Sequence, residues 1–154
     1  MGTTGTVTSN SYPIEVSKFF PDINVFQQGC PMWVPLIENS AYENEGAEYF
    51  IKQDVKSLID QSSDIDTVLL ACTHYPIIED TIKKYLPNHV QVITQGDIVA
   101  KSLVDYIERH EVLSASFLKN GKRKFLTTGD VEDFNNHSEH FLGRRVNAEQ
   151  VDID

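Results

Sequence analysis

The run Thr67 to Ala71, followed by Cys72-Thr73-His74-Tyr75-Pro76, constrains this chain more than any other stretch. The β-branched residues Ile65, Thr67 and Val68, with Leu69, Leu70 and Ala71, predict a buried strand over Thr67–Ala71. Pro76 suits a first helical turn, where its missing N–H would be orphaned in any case. Ile77, Ile78, Ile82, Tyr85 and Leu86 then recur at helical spacing, and Pro87 closes the helix. A thiol therefore stands at the carboxyl end of a strand and in front of a helix, the edge of an open α/β sheet where ligands bind. Helix N-termini and nearby imidazolium groups make thiols more acidic, so this position suits a reactive cysteine. Thr73 and His74 add hydroxyl, imidazole and backbone donors for an anionic ligand. A small buried cysteine that merely fills space is the competing reading.

The chain alternates strand and helix patterns around this feature. Asn24–Gln28 and Asn88–Thr94 are strand candidates, and Tyr12–Phe20 is a short amphipathic helix that Pro21 ends. Two prolines in Gly29–Glu38 predict a buried loop with a short turn of helix. Glu43–Gln61 reads as a helix with Tyr49, Phe50, Val55, Leu58 and Ile59 on its apolar face. Gln95-Gly96-Asp97 reads as a turn into a helix from Ile98 to Arg109. Beyond it, a variable loop over His110–Asn120 leads to a strand over Lys122–Thr128. Asp130 caps a helix to Leu142, and a last strand falls within Val146–Ile153. Alternation of this kind predicts an α/β fold with a mostly parallel sheet flanked by helices.

Composition removes several function classes. A formal charge of −10 over 154 residues argues against non-specific binding to nucleic acid or to anionic membranes. No apolar run reaches the length of a signal or membrane segment. The two cysteines, Cys30 and Cys72, have no metal-ligand spacing, which fits free thiols in a reducing cytoplasm. His137 and His140 sit three residues apart on one predicted helix, but with no third ligand beside them they read as surface histidines.

Cys72-Thr73-His74-Tyr75-Pro76 closely resembles the second catalytic-cysteine motif of the glutamate racemases, cofactor-independent members of the aspartate/glutamate racemase superfamily. Gly2, Thr3 and Thr6 fall on the family's Gly-Thr-x-x-Thr loop, and Ser9 and Tyr12 match residues after it. Cys30 to Glu38 resembles the family's Ala-Cys-Pro-Leu-Phe-Val-Pro-Leu-Val-Glu segment, with Glu38 on its active-site acid and Cys30 on a non-catalytic position. Gln95-Gly96 and the Thr-Thr-Gly-Asp segment at Thr127–Asp130 add support. Taken from the residues alone, Met1–Ser11 is a flexible, donor-rich loop in which Ser9 or Asn10 could cap the next helix.

The resemblance implies the second domain of a pseudo-symmetric two-domain racemase fold over residues 1–96, short of its first strand. Residues 97–154 would cross back to complete the first domain. The family's first-half motifs, Asp-Ser, Pro-Tyr-Gly and Cys-Asn-Thr, do not occur here. The implied activity is interconversion of L- and D-glutamate by two thiols, supplying D-glutamate for peptidoglycan. Cys72 and His74 would be catalytic, with Thr73, His74, Thr3, Thr6 and Glu38 binding the substrate. No cofactor and no metal are implied. The implied partners are glutamate and the missing N-terminal half, and a homodimer stays open. The 154 residues alone would be inactive and would expose apolar surface around Tyr12–Phe20 and beyond residue 97. Two rivals are a racemase for aspartate or another amino acid, and a binding module with an inert Cys72. Aspartate racemases usually carry Cys-Thr-Glu where this chain has Cys72-Thr73-His74.

Overall fold

The computed structural model describes residues 1–117 and 121–153, and within helix 131–142 the side chain at position 140 lies outside that description. The chain divides into two compact units, Met1–Ser102 and Leu103–Asp154.

The first unit opens with the residues Met1 and Gly2 in an extended conformation beside two other segments. Gly2 bridges Ala71 on one side and Gly29 on the other, both in parallel. Helix α1 (Thr4–Thr8) follows at once, so the flexible loop expected from glycine and threonine content is a short helix instead. Its cap is Thr3, whose hydroxyl accepts from the Thr6 amide at 3.3 Å and satisfies an otherwise orphaned donor. Asn10 adopts a left-handed conformation and makes no side-chain cap on helix α2 (Ser11–Phe19). The strand expected over Asn24–Gln28 is not formed; among the described residues its backbone is paired only at the end, where Gln28 accepts from the Gly2 amide and Gly29 bridges Gly2.

Helix α3 (Trp33–Glu38) keeps Pro35 within it and buries Trp33 and Ile37. Helix α4 (Glu45–Ile59) is capped by Asn44, whose Oδ1 accepts from the Ala47 amide at 2.9 Å. Its buried face is Ala47, Ile51, Val55 and Leu58. Tyr49 and Phe50, expected on that face, are exposed, because a helical step of 3.6 residues turns them away from the Ile51–Val55–Leu58 line.

Strand β1 (Thr67–Leu70) pairs in parallel with strand β2 (Gln91–Thr94), Leu70 lying opposite Thr94. Val68 and Leu70 are buried while Leu69 is half-buried and Thr67 exposed, so β1 buries one face rather than two. Between them the expected single helix is split into a 3₁₀ turn over Tyr75–Ile78 and helix α5 (Glu79–Tyr85). Pro76 suits the tight start of the turn.

Trp33, Ile37, Ile51, Val55, Val68, Leu70, Tyr75 and Ile82 form the centre of one core. Each aliphatic side chain removed from water there contributes about 1.5–3 kcal/mol. The Trp33 and Tyr75 rings meet at 4.7 Å between centroids, tilted by 59°. Helix α6 (Gln95–Arg109) begins directly at Gln95, where a turn was expected. Phe19, Phe20, Ile98 and Val99 are exposed, as the sequence led one to expect around helix α2 and beyond residue 97.

In the second unit the expected loop after His110 holds helix α7 (Glu111–Ser116), and Leu118–Asn120 lie outside the described residues. Strand β3 (Phe125–Thr127), helix α8 (Val131–Leu142) and strand β4 (Ala148–Gln150) form a parallel β-α-β unit, with Phe125 opposite Ala148. Asp130 caps α8 as expected, its Oδ1 accepting from the Asp133 amide at 2.8 Å. Gly143 ends the helix at φ 65°, a conformation glycine adopts without steric cost. Two buried polar side chains join α8 to β4 and to the segment that leads into it. Ser138 Oγ donates to the Asn135 carbonyl at 2.6 Å and accepts from the Val146 amide at 3.0 Å. Asn135 Oδ1 accepts from the Ala148 amide at 2.9 Å. Among the described residues no cluster of three potential metal ligands occurs and no helix is long and apolar enough to cross a membrane. Of the two histidines on α8, His137 is half-buried, and the His140 side chain lies outside the described residues.

Candidate active site

Three parallel segments end side by side in the first unit. Because Gly2 bridges both Gly29 and Ala71, the residues that follow, Thr3, Cys30 and Cys72, emerge at one common edge. Backbone hydrogen bonds fix this register: Gly2 N–H donates to the Gln28 carbonyl at 3.0 Å, Cys30 N–H to the Gly2 carbonyl at 2.9 Å, and Ala71 N–H to the Met1 carbonyl at 2.9 Å. Gly2 is needed for the close approach. A Cβ there would meet Thr6 Cγ2 at 3.1 Å and Thr6 Cβ at 3.2 Å.

The two thiols at this edge differ sharply. Cys30 is only 1% exposed, and burial pushes its thiol well above the usual range, with Asp54 adding to the shift. It is a packing group, kept neutral by a low-dielectric setting. Cys72 is half-buried and unoxidised, and so open to a ligand. Its Sγ lies 3.8 Å from His74 Nδ1, while Thr73 Oγ1 is 3.5 Å from the same nitrogen. On the other side of the ring, His74 Nε2 is 3.1 Å from Glu38 Oε1. A carboxylate there accepts from Nε2–H, which leaves Nδ1 as the acceptor facing the thiol and the hydroxyl.

Glu38, at the carboxyl end of α3, thus reaches the turn after β1, a contact that sequence reasoning placed nowhere. Thr3 and Thr6 lie on the adjoining segment, their hydroxyls 3.0 Å apart. The structure brings Cys72, Thr73, His74 and Glu38 into one hydrogen-bonded series, and Thr3 and Thr6 form a separate pair on the neighbouring strand end. The Tyr75 hydroxyl does not join them; it donates to the Cys30 carbonyl at 3.3 Å, and burial pushes its own ionisation upward. Also missed in the sequence was the hydrogen bond from the Gln95 amide to the Tyr12 hydroxyl, which ties the start of α6 to α2. A cavity of about 610 Å³ lies elsewhere, along the amino-terminal part of β1, and of the expected site residues only Thr6 lines it.

No family model matches the chain. Glutamate racemase 2 of Caldanaerobacter subterraneus subsp. tengcongensis is 35% identical over 146 residues, covering 95% of this chain and 54% of that protein. Among solved structures, the glutamate racemase isoform RacE1 of Bacillus anthracis superposes with a TM-score of 0.85 at 33% identity, over 99% of this chain and 56% of that one. The glutamate racemase of Francisella tularensis, solved in complex with D-glutamate, gives 0.82 at 27% identity over the same 99% and 56%. The chain spans about half the length of the curated relatives it matches. By sequence along almost its whole length, and by fold, the chain is similar to one part, about half, of glutamate racemases.

Proposed function

We propose that this chain carries one half of a glutamate racemase site, with Cys72 as one of two thiols that interconvert L- and D-glutamate without a cofactor. The observation that supports this best is the series Glu38–His74–Cys72 at the carboxyl end of a parallel strand. D-Glutamate in the Francisella structure makes glutamate the substrate of choice.

Inverting an α-carbon needs a base on one face and an acid on the other. In one direction the Cys72 thiolate takes the α-proton; the Cα–H electrons pass into the carboxylate as an enediolate, and a thiol on the opposite face returns a proton to Cα. In the other direction Cys72 is the acid. His74, held by Glu38, accepts the Cys72 proton through Nδ1 and so readies the thiolate. Thr73, Thr3 and Thr6 supply hydroxyl donors to the substrate's charged groups. Cys30 is too buried to face the substrate and matches a non-catalytic family position, so the second thiol comes from a counterpart half that packs over this edge. D-Glutamate made in this way in the cytoplasm would serve peptidoglycan synthesis.

The test is complementation. The 154 residues alone should show no racemisation of either enantiomer. Joined to the other half of a family member, they should racemise glutamate, and Cys72→Ser should lower that rate by at least about a hundred-fold, the scale of lost acid–base catalysis. Racemisation by the 154 residues alone, or an unimpaired Cys72→Ser enzyme, overturns the reading.

A further inference from the structure

The contact between Glu38 and His74 joins two separate segments, yet it is open to water: the Glu38 side chain is 46% exposed and that of His74 24%. An exposed pair of this kind is screened and gains little over hydration, so it cannot by itself hold α3 on the turn after β1. The residue that starts α3 and the residue that follows His74 lie in the core instead.

Trp33 and Tyr75 are both fully buried, and their rings meet at 4.7 Å between centroids. The two residues meet again on one atom. The Cys30 carbonyl accepts from the Trp33 amide at 3.4 Å and from the Tyr75 hydroxyl at 3.3 Å. The Tyr75 amide donates to the Cys72 carbonyl at 3.3 Å, which closes the turn that carries Thr73 and His74. Helix α3 is only six residues long, with Trp33 at its start and Glu38 at its end. At about 1.5 Å per residue the two lie about 7.5 Å apart along the axis, so the seat of the indole sets the place of the carboxylate. His74 Nε2 and Glu38 Oε1 are 3.1 Å apart, and a separation much beyond about 3.5 Å is no longer a hydrogen bond. A shift of α3 by half an ångström is therefore enough to break the series.

We propose that Trp33 and Tyr75 are positioning residues for the thiol: their ring contact and their shared Cys30 carbonyl hold α3 on the turn, and so bring Glu38 to His74. The Tyr75 hydroxyl is buried and already donates to Cys30, so Tyr75 acts through His74 and not as an acid or base of its own. The proposal rests on the racemase reading of Cys72 and deepens it.

Two double-mutant cycles test it, since residues that act through one contact lose their effect once that contact is gone. In the enzyme complemented with the other half of a family member, Trp33→Leu should lower kcat by about ten-fold with a smaller effect on KM, Tyr75→Phe should lower it by about three-fold, and Trp33→Phe, which keeps a ring against Tyr75, should recover most of the loss. In a Glu38→Gln background the same substitutions should lower kcat by no more than about two-fold. The second cycle uses the 154 residues alone and reads alkylation of Cys72 by iodoacetamide at neutral pH. Trp33→Leu should slow it in the native background and leave it unchanged beside Glu38→Gln, because His74 then no longer readies the thiolate. Equal losses with and without Glu38, or a raised KM with kcat intact, overturn the proposal. Where Trp33→Leu gives no cooperative melt, Tyr75→Phe carries both cycles and decides in the same way. A complemented native enzyme that does not racemise glutamate overturns the racemase reading instead, and the alkylation cycle still decides the positioning.

Discussion

His74 Nε2 lies 3.1 Å from Glu38 Oε1 although 36 residues separate the two in sequence. The pair joins the end of α3 to the turn that follows β1, and it orients the imidazole so that Nδ1 faces Cys72. Glu38→Gln keeps the size of the side chain and removes the charge. A hydrogen bond to a charged group is worth about 1.5–3 kcal/mol. In the complemented enzyme this substitution should lower kcat by about ten- to a hundred-fold, with a smaller effect on KM. A KM effect with kcat unchanged would assign Glu38 to substrate binding alone.

Cys72 and Cys30 should separate in alkylation. Cys72 is half-buried while Cys30 is 1% exposed. Iodoacetamide on the native chain should modify Cys72 first, and Cys30 only as the protein unfolds. Mass spectrometry of partly labelled protein checks the order; equal labelling of both would show that the core around Trp33 opens freely.

Burial of Cys30 also gives stability a pH dependence. Its thiol ionises at higher pH in the folded chain than in the unfolded one. Its contribution is therefore fully present below the unfolded value, about 8.5, and is lost as pH rises above it. Between pH 8.5 and 9.5 the slope from this group is at most about 1.4 kcal/mol per pH unit. Urea unfolding across that range should show the decline, and Cys30→Ala, though less stable throughout, should show a flatter one.

Gly2→Ala should destabilise the first unit. The added methyl would lie 3.1–3.2 Å from Thr6 carbons while two backbone hydrogen bonds hold Gly2 to the Gln28–Cys30 segment. Overpacking of this kind costs about 1–3 kcal/mol. Thermal melts of the two proteins test this, and an unchanged midpoint would mean that Thr6 moves aside without cost.

Ser138→Ala should loosen the second unit. The hydroxyl serves the Asn135 carbonyl and the Val146 amide, and its removal leaves a buried donor unsatisfied. A loss of about 1–3 kcal/mol follows from that desolvated group. Hydrogen exchange should speed up at Val146 and Ala148, with amides of β1 and β2 unaffected.

Local signals in the sequence determined much of this protein. The apolar run ending at Cys72 and the run at Val90–Ile93 specified parallel strands with a helical crossover, because strand period and proline position act over a few residues. Asp130 specified the start of α8 in the same way, through one side chain and one amide. Cys72-Thr73-His74-Tyr75-Pro76 resembles a glutamate racemase motif, and the comparisons of sequence and fold point to the same proteins. Tertiary structure alone decided the rest. Whether Asn24–Gln28 forms a strand depends on a neighbour to pair with, and no local property of those residues records that. Which face of α4 is buried was decided by α3 and α5, against which it packs, and this left Tyr49 and Phe50 in solvent. The meeting of Glu38 with His74 needed α3 and the turn after β1 to pack together. Carboxylate and imidazole carry no sequence signal for a contact made across 36 residues, because only the fold sets the distance between them.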